Sequence, residues 1–177
     1  MKALVFDTGP LSHFAKQQWL GVLRAVVGER VAKVPDAVVE ELRNGVGVHP
    51  HLRFVLDAPW LEVHELADEA EIDAYRKFSK YLVVRNRNRG EAAVLALART
   101  AGAVAVVDDS AARKAADRFG VEHVGTLGLL CEGIRGGLLT VPLVAQLADH
   151  LMEGDYRLPF RPGGFEKWAS DHGLLTP

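Results

Sequence analysis

Two runs of uninterrupted apolar residues, each ending in acid, constrain this chain more than any other feature. Near the start Ala3-Leu4-Val5-Phe6 runs into Asp7-Thr8-Gly9-Pro10, and later Ala103-Val104-Ala105-Val106-Val107 runs into Asp108-Asp109. A strand without polar alternation has no face to give to water, so both runs are predicted to be buried strands of a covered sheet. The Thr-Gly-Pro breaker and the paired acids mark where each strand reaches the edge. Asp7, Asp108 and Asp109 are thereby delivered to strand tips. A lone acid in such a place ordinarily caps the next helix, so only the company of other acids raises it to anything more.

The segments between these runs alternate in period. Leu11, Phe14, Ala15, Leu20, Leu23, Val26 and Val27 recur at near-helical spacing, with Gly21 as the expected break between two short helices. Residues 31–34 read as a strand. Pro35-Asp36 opens a helix through Asn44, with Gly45 expected in the left-handed closing position. A short helical piece around His49-Pro50-His51 precedes an alternating, half-exposed edge strand over 60–64. Helices follow over 68–84 and 91–99, the second ended by Gly102, then one over 110–119 ended by Gly120. A strand over 121–124 leads to a helix from Gly125-Thr126 through Ile134, and Thr140-Val141-Pro142 starts the last helix, ending near Gly154. The tail from Asp155 has weak periodicity and reads as a packed extension or a docking segment. The expected organisation is a domain over 1–154 and a C-terminal extension over 155–177. Strands alternating with helices imply an α/β fold: a parallel sheet of four to five strands with helices on both faces, binding its ligands beyond the carboxyl ends of the strands.

With 177 residues, 49% apolar and 25% charged, the chain suits one domain with a proper core. Its net charge of -2 argues against an overall basic coat for nucleic acid. The single cysteine, Cys131, excludes an internal disulfide and reads as a small buried hydrophobe in a reducing compartment. No signal-peptide pattern and no apolar run near the roughly 18 residues of a membrane span is present. A cytoplasmic protein with no membrane partner is expected.

Helical angles test which acids are out of place, since each residue turns about 100°. Glu91 shares a stripe with Val94, Leu95 and Ala98; the alternative is a first-turn acid complementing the helix dipole. Glu41 projects beside the apolar side defined by Val38 and Leu42, whereas Glu40 points into solvent. Ser110 needs only one of Asp108 and Asp109 as its cap. Carboxylates buried together cost several kcal/mol per unpaired charge, so such a cluster calls for cations. Oxygen ligands without His or Cys select hard ions, Mg²⁺ or Mn²⁺, and these are the usual machinery for cutting phosphodiesters.

Asp7-Thr8-Gly9-Pro10-Leu11, the stretch from Val34-Pro35-Asp36 to Glu40-Glu41-Leu42, Gly90-Glu91-Ala92-Ala93, and Val106-Val107-Asp108-Asp109 followed by Ala112-Arg113 and Gly125-Thr126-Leu127-Gly128 resemble the ordered acid blocks of PIN-domain nucleases. The likeness covers roughly residues 2 to 140 and is similar to the toxin arm of VapBC toxin–antitoxin pairs. It implies a Rossmann-like, PIN-like sheet, dependence on Mg²⁺ or Mn²⁺, endoribonuclease activity, an inhibitory antitoxin and a homodimer. The catalytic acids it implies are Asp7, Glu41, Glu91, and Asp108 or Asp109, with Asp7, Glu91, Asp108 and Asp109 as metal ligands.

Positive charge is concentrated just before Glu91: Arg76, Lys77, Lys80, Arg85, Arg87 and Arg89 occur without one acid. Arg85, Arg87 and Arg89, in a polar loop, and Arg113, a turn after Asp109, are the expected RNA contacts. Tyr75, Phe78 and Tyr81 interleave with them and either stack bases or belong to the core. His13 reads as a structural histidine. The rival reading from another class is a non-catalytic RNA- or protein-binding module, in which the edge acids only cap helices.

Overall fold

A computed structural model describes residues 1–85 and 87–175. Among these, β1 (Leu4–Phe6), β2 (Ala32–Pro35), β3 (Leu61–His64), β4 (Val104–Val106) and β5 (His123–Val124) form one sheet in the order β3-β2-β1-β4-β5. Every pairing is parallel, with Leu4 opposite both Ala32 and Val104. Successive strand residues point to opposite faces, and Leu4, Val5 and Phe6 are all buried. Both faces of the central strand are therefore covered, as an α/β sheet of this kind requires. β3 lies at one edge, half exposed as its alternating sequence predicts.

The early helices are α1 (Thr8–Lys16), α2 (Leu20–Val27), α3 (Asp36–Gly45) and, after a 3₁₀ turn over Pro50–Leu52, α4 (Arg53–Leu56). Then come α5 (Glu69–Leu82), α6 (Arg89–Thr100), α7 (Ser110–Phe119), α8 (Thr126–Arg135), α9 (Val141–Glu153) and α10 (Phe165–Asp171). Three expectations are corrected. The break between the first two helices falls at Gln17-Gln18-Trp19, where Gln18 takes the left-handed conformation (φ 61), and Gly21 sits inside α2. Gly45 is the last residue of α3 rather than a left-handed cap; a Cβ there would meet the Leu52 side chain at 2.7 Å, so close packing explains the glycine. The helix near Gly154 is not the last, because α10 follows it.

α6 is the hub. Every residue from Ala92 to Ala98 is essentially inaccessible, and the helix packs on β1, β2 and β4 as well as on α3, α5 and α7. The small side chains of its Ala-rich sequence allow that close approach on all sides. The tail from Asp155 folds back onto the body: Tyr156, Phe165 and Ala169 are buried, and α10 packs on α9. Burial of a Phe such as Phe165 is worth about 1.5–3 kcal/mol relative to exposure. Among the described residues no helix is long and apolar enough to cross a membrane.

Candidate active site

Asp7 stands at the carboxyl end of the central strand, its N–H donating to the Val106 carbonyl of β4 at 3.2 Å. It occupies the N-cap position of α1 but makes no capping bond with its side chain. It is 6% exposed, and its Oδ1 has no hydrogen-bond partner among the described residues. Burial pushes its carboxyl well above the usual range; the charges of Glu91, Glu41 and Asp108 push the same way, and the Thr8 backbone N–H opposes them.

Glu41 reaches this edge from α3. The Thr8 hydroxyl donates to its Oε2 at 2.9 Å and the Gly90 N–H donates to its Oε1 at 3.1 Å. One carboxylate thus ties α3 to the first turns of α1 and α6. Gly90 is necessary to the contact, because a Cβ there would lie 2.8 Å from Oε2. Glu91 follows in the same turn of α6. It is partly buried, and its carboxyl is raised by that burial and by the charges of Glu41 and Asp109.

The two acids after β4 separate in role. Asp109 caps α7, its Oδ1 accepting from Ala111 N–H at 2.8 Å and Ala112 N–H at 3.0 Å. Asp108 accepts from Thr126 N–H at 2.8 Å, from the Thr126 hydroxyl at 2.5 Å and from the Tyr156 hydroxyl. Three of the roughly four acceptor positions of a carboxylate are thereby used. Thr126 is 2% exposed and Tyr156 8%. Burial and the Asp108 charge raise the Tyr156 phenol, which stays a donor. Gly125 lets this packing be close, since a Cβ would sit 3.0 Å from Asp108 Oδ1 and press on it.

The five acids share one edge but not one environment. Only Asp7 is buried; Glu91 and Asp108 are intermediate, and Glu41 and Asp109 are exposed at the rim. The expectation that the clustered carboxylates are buried together is corrected accordingly: at a rim, water carries most of the solvation. Among the described residues no group of three or more His, Cys, Asp or Glu side chains is placed to hold a metal ion. The oxygen donors present are of the type that Mg²⁺ or Mn²⁺ takes, and these ions keep several waters and need only one or two carboxylates directly. The orphaned Asp7 oxygen is the group that such an ion would complete.

The DUF3368 family model, described as a PIN domain, matches residues 3–161. The chain belongs to the PIN-domain family. Members of that family are generally nucleases, and the match spans all five acids together with Thr126 and Tyr156. No curated protein matches the chain.

In this PIN domain the predicted RNA contacts fall in two places. Arg85, with positive φ, and Arg87 lie exposed in the loop before α6, and Arg89 opens that helix with the Tyr75 side chain raising its pKa. Arg113 is exposed on α7 beside Asp108. Asn86, between the loop arginines, lies outside the described residues. The interleaved aromatics are structural in the main: Phe78 is fully buried, and Tyr81 packs edge-on to Phe119 with Arg118 over its ring. His13 is half-buried, its ring 4.4 Å from that of Tyr156 and its imidazole held below its usual pKa by burial and by Lys16. Sequence reasoning missed Tyr156, which sits in the weakly patterned tail. Thr126 did leave a signal, since it lies in the Gly-Thr-Leu-Gly block.

Proposed function

We propose that this chain is a Mg²⁺- or Mn²⁺-dependent endoribonuclease and the toxin of a toxin–antitoxin pair, working as a homodimer and restrained by an antitoxin protein. One observation carries the reading: the Asp7 carboxylate is buried, has an unpartnered oxygen and stands beside other acids at the carboxyl edge of a parallel sheet. Such a group costs several kcal/mol unless something positive completes it.

Asp7 and Glu91 would hold the ion, with Asp108 adding charge beside Asp7 and Asp109 beside Glu91. A bound Mg²⁺ or Mn²⁺ supplies Lewis-acid stabilisation of the phosphoryl charge and a water of lowered pKa. Glu41 orders the site by tying Thr8 to Gly90. Thr126 and Tyr156 keep Asp108 from swinging. Arg85, Arg87, Arg89 and Arg113 would neutralise phosphates of the RNA on either side.

The test is Asp7→Asn, assayed for Mn²⁺-dependent cleavage of RNA and for divalent-ion binding. Both are expected to be lost while the circular dichroism and thermal transition persist; full activity overturns the reading. For the toxin role, expression in a bacterial host is expected to arrest growth, with relief by Asp7→Asn and by the product of a small neighbouring open reading frame. Growth arrest that survives Asp7→Asn would overturn it.

A further inference from the structure

A pocket of about 510 Å³ opens directly beside Asp108, between the N-terminal ends of α7 and α8 and the folded-back tail. Asp108, Arg113, Tyr156, Arg157, Trp168 and His172 are among its walls. Its volume lies in the range of about 300–1,000 Å³ that holds small ligands. The tail residues in it have no part in the acid site, Tyr156 excepted.

Two features give the pocket a chemistry. Arg113 and Arg157 are exposed cations, and among the described residues neither forms an ion pair. They stand next to acids that repel any phosphate, so the electrostatic sign reverses within one residue's reach of Asp108. The pocket also has an aromatic lining. The Trp168 and His172 rings lie 4.7 Å apart at a 32° tilt, and the Phe160 ring backs Trp168 at 5.4 Å. The His172 Nδ1 bonds to the Trp168 carbonyl at 2.8 Å, which fixes the imidazole. Aromatic rings and unpaired cations lining one pocket suit a nucleobase and its phosphate, the combination by which single strands are held.

We infer that the tail builds a subsite for one RNA nucleotide flanking the cleaved phosphodiester, with its base against Trp168 and His172 and its phosphate on Arg113 and Arg157. The assignment rests on the ribonuclease reading for its substrate. The tail then selects where along an RNA the acid site cuts.

The test measures binding of a short, mixed-sequence, fluorescein-labelled oligoribonucleotide to the full chain in EDTA over a series of salt concentrations, and its cleavage in Mn²⁺. Trp168→Leu is expected to weaken binding about ten-fold, the scale of one lost base stack, with the salt slope unchanged. Arg157→Ala, on an exposed side chain that the fold does not need, is expected to lower the magnitude of that slope by about 0.7, the value for one phosphate on a single strand. Both variants are expected to shift the cleavage pattern, whereas Lys167→Ala, outside the pocket, leaves binding and pattern as they are. Cleavage by the parent protein with binding, slope and pattern unaltered in both variants overturns the subsite and leaves the nuclease intact. Binding that falls in both variants without any cleavage in Mn²⁺ by the parent keeps the tail pocket as a nucleotide-binding site and overturns the nuclease.

Discussion

Strands β1 and β4 are hydrogen-bonded neighbours, parallel, apolar throughout and followed by acid. Asp7, after β1, is buried with an unpartnered oxygen and makes no cap. After β4 the acids are provided for: Asp109 caps α7, and Asp108 takes three donors from Thr126 and Tyr156. The same local pattern thus yields one carboxylate held in reserve and two in structural employment. What separates them is not the strand but the donors delivered from distant segments. A strand-tip acid is a place where chemistry can be put, and its surroundings decide whether it is.

The largest effect should come from removing the reserve. Asp7→Asn is expected to lower Mn²⁺-dependent cleavage by at least about a hundred-fold, beyond the 10- to 100-fold loss typical of a merely supporting group. At pH above the raised pKa of Asp7, metal-free Asp7→Asn should at the same time unfold at higher denaturant than the parent, since the parent there carries a buried unpaired charge. A drop in metal-free stability would place Asp7 with the structural acids and erase the contrast.

Tyr156→Phe attacks the other side. It removes one donor to Asp108 and is expected to cost about 1.5–3 kcal/mol, the range for hydrogen bonds to charged groups, read from urea unfolding. No loss would mean that Asp108 is not held by the tail. A third experiment uses pH. The folded-state pKa values of Asp7 and Glu91 lie above their ordinary values of 3.8 and 4.5, so the folded state binds more protons than the unfolded one. The contribution of these two groups to metal-free stability should be greatest below these ordinary values and fall as pH rises through the raised ones, by at most about 1.4 kcal/mol per pH unit for each group. Asp7→Asn should flatten that fall, whereas Asp109→Ala should leave it largely in place. The smallest effect is expected from Asp109→Ala itself, about 1 kcal/mol for a lost cap, measured by thermal unfolding.

Legibility followed the range of the interactions. The apolar runs and helical periods located the strands and most helices because those signals are local, and the positions of Asp7 and Glu91 followed from them. Glu91 was singled out because its stripe is apolar, yet α6 is buried on every side, so an angular test distinguishes its faces less sharply than the sequence suggests. Glu41 was found by its angle, but its bonds to Thr8 and Gly90 depend on three elements meeting. The division of labour between Asp108 and Asp109 was out of reach, because it is set by Thr126 and by Tyr156, 48 residues further on. Periodicity does not carry information across such separations.

The central position of β1 has a kinetic consequence. The strand is synthesised first, yet residue 4 pairs with residue 104 in parallel, and no short turn can bring these together. The chain must close a very long loop before that pairing is rewarded, which slows folding in proportion to how non-local the contacts are. The Asp7 amide bonds to β4, a strand about a hundred residues further along the chain, so its burial should wait for that long-range docking. In hydrogen exchange the Asp7 amide is expected to open only with global unfolding, and any partly folded species lacking β4 would be without its central acid in place.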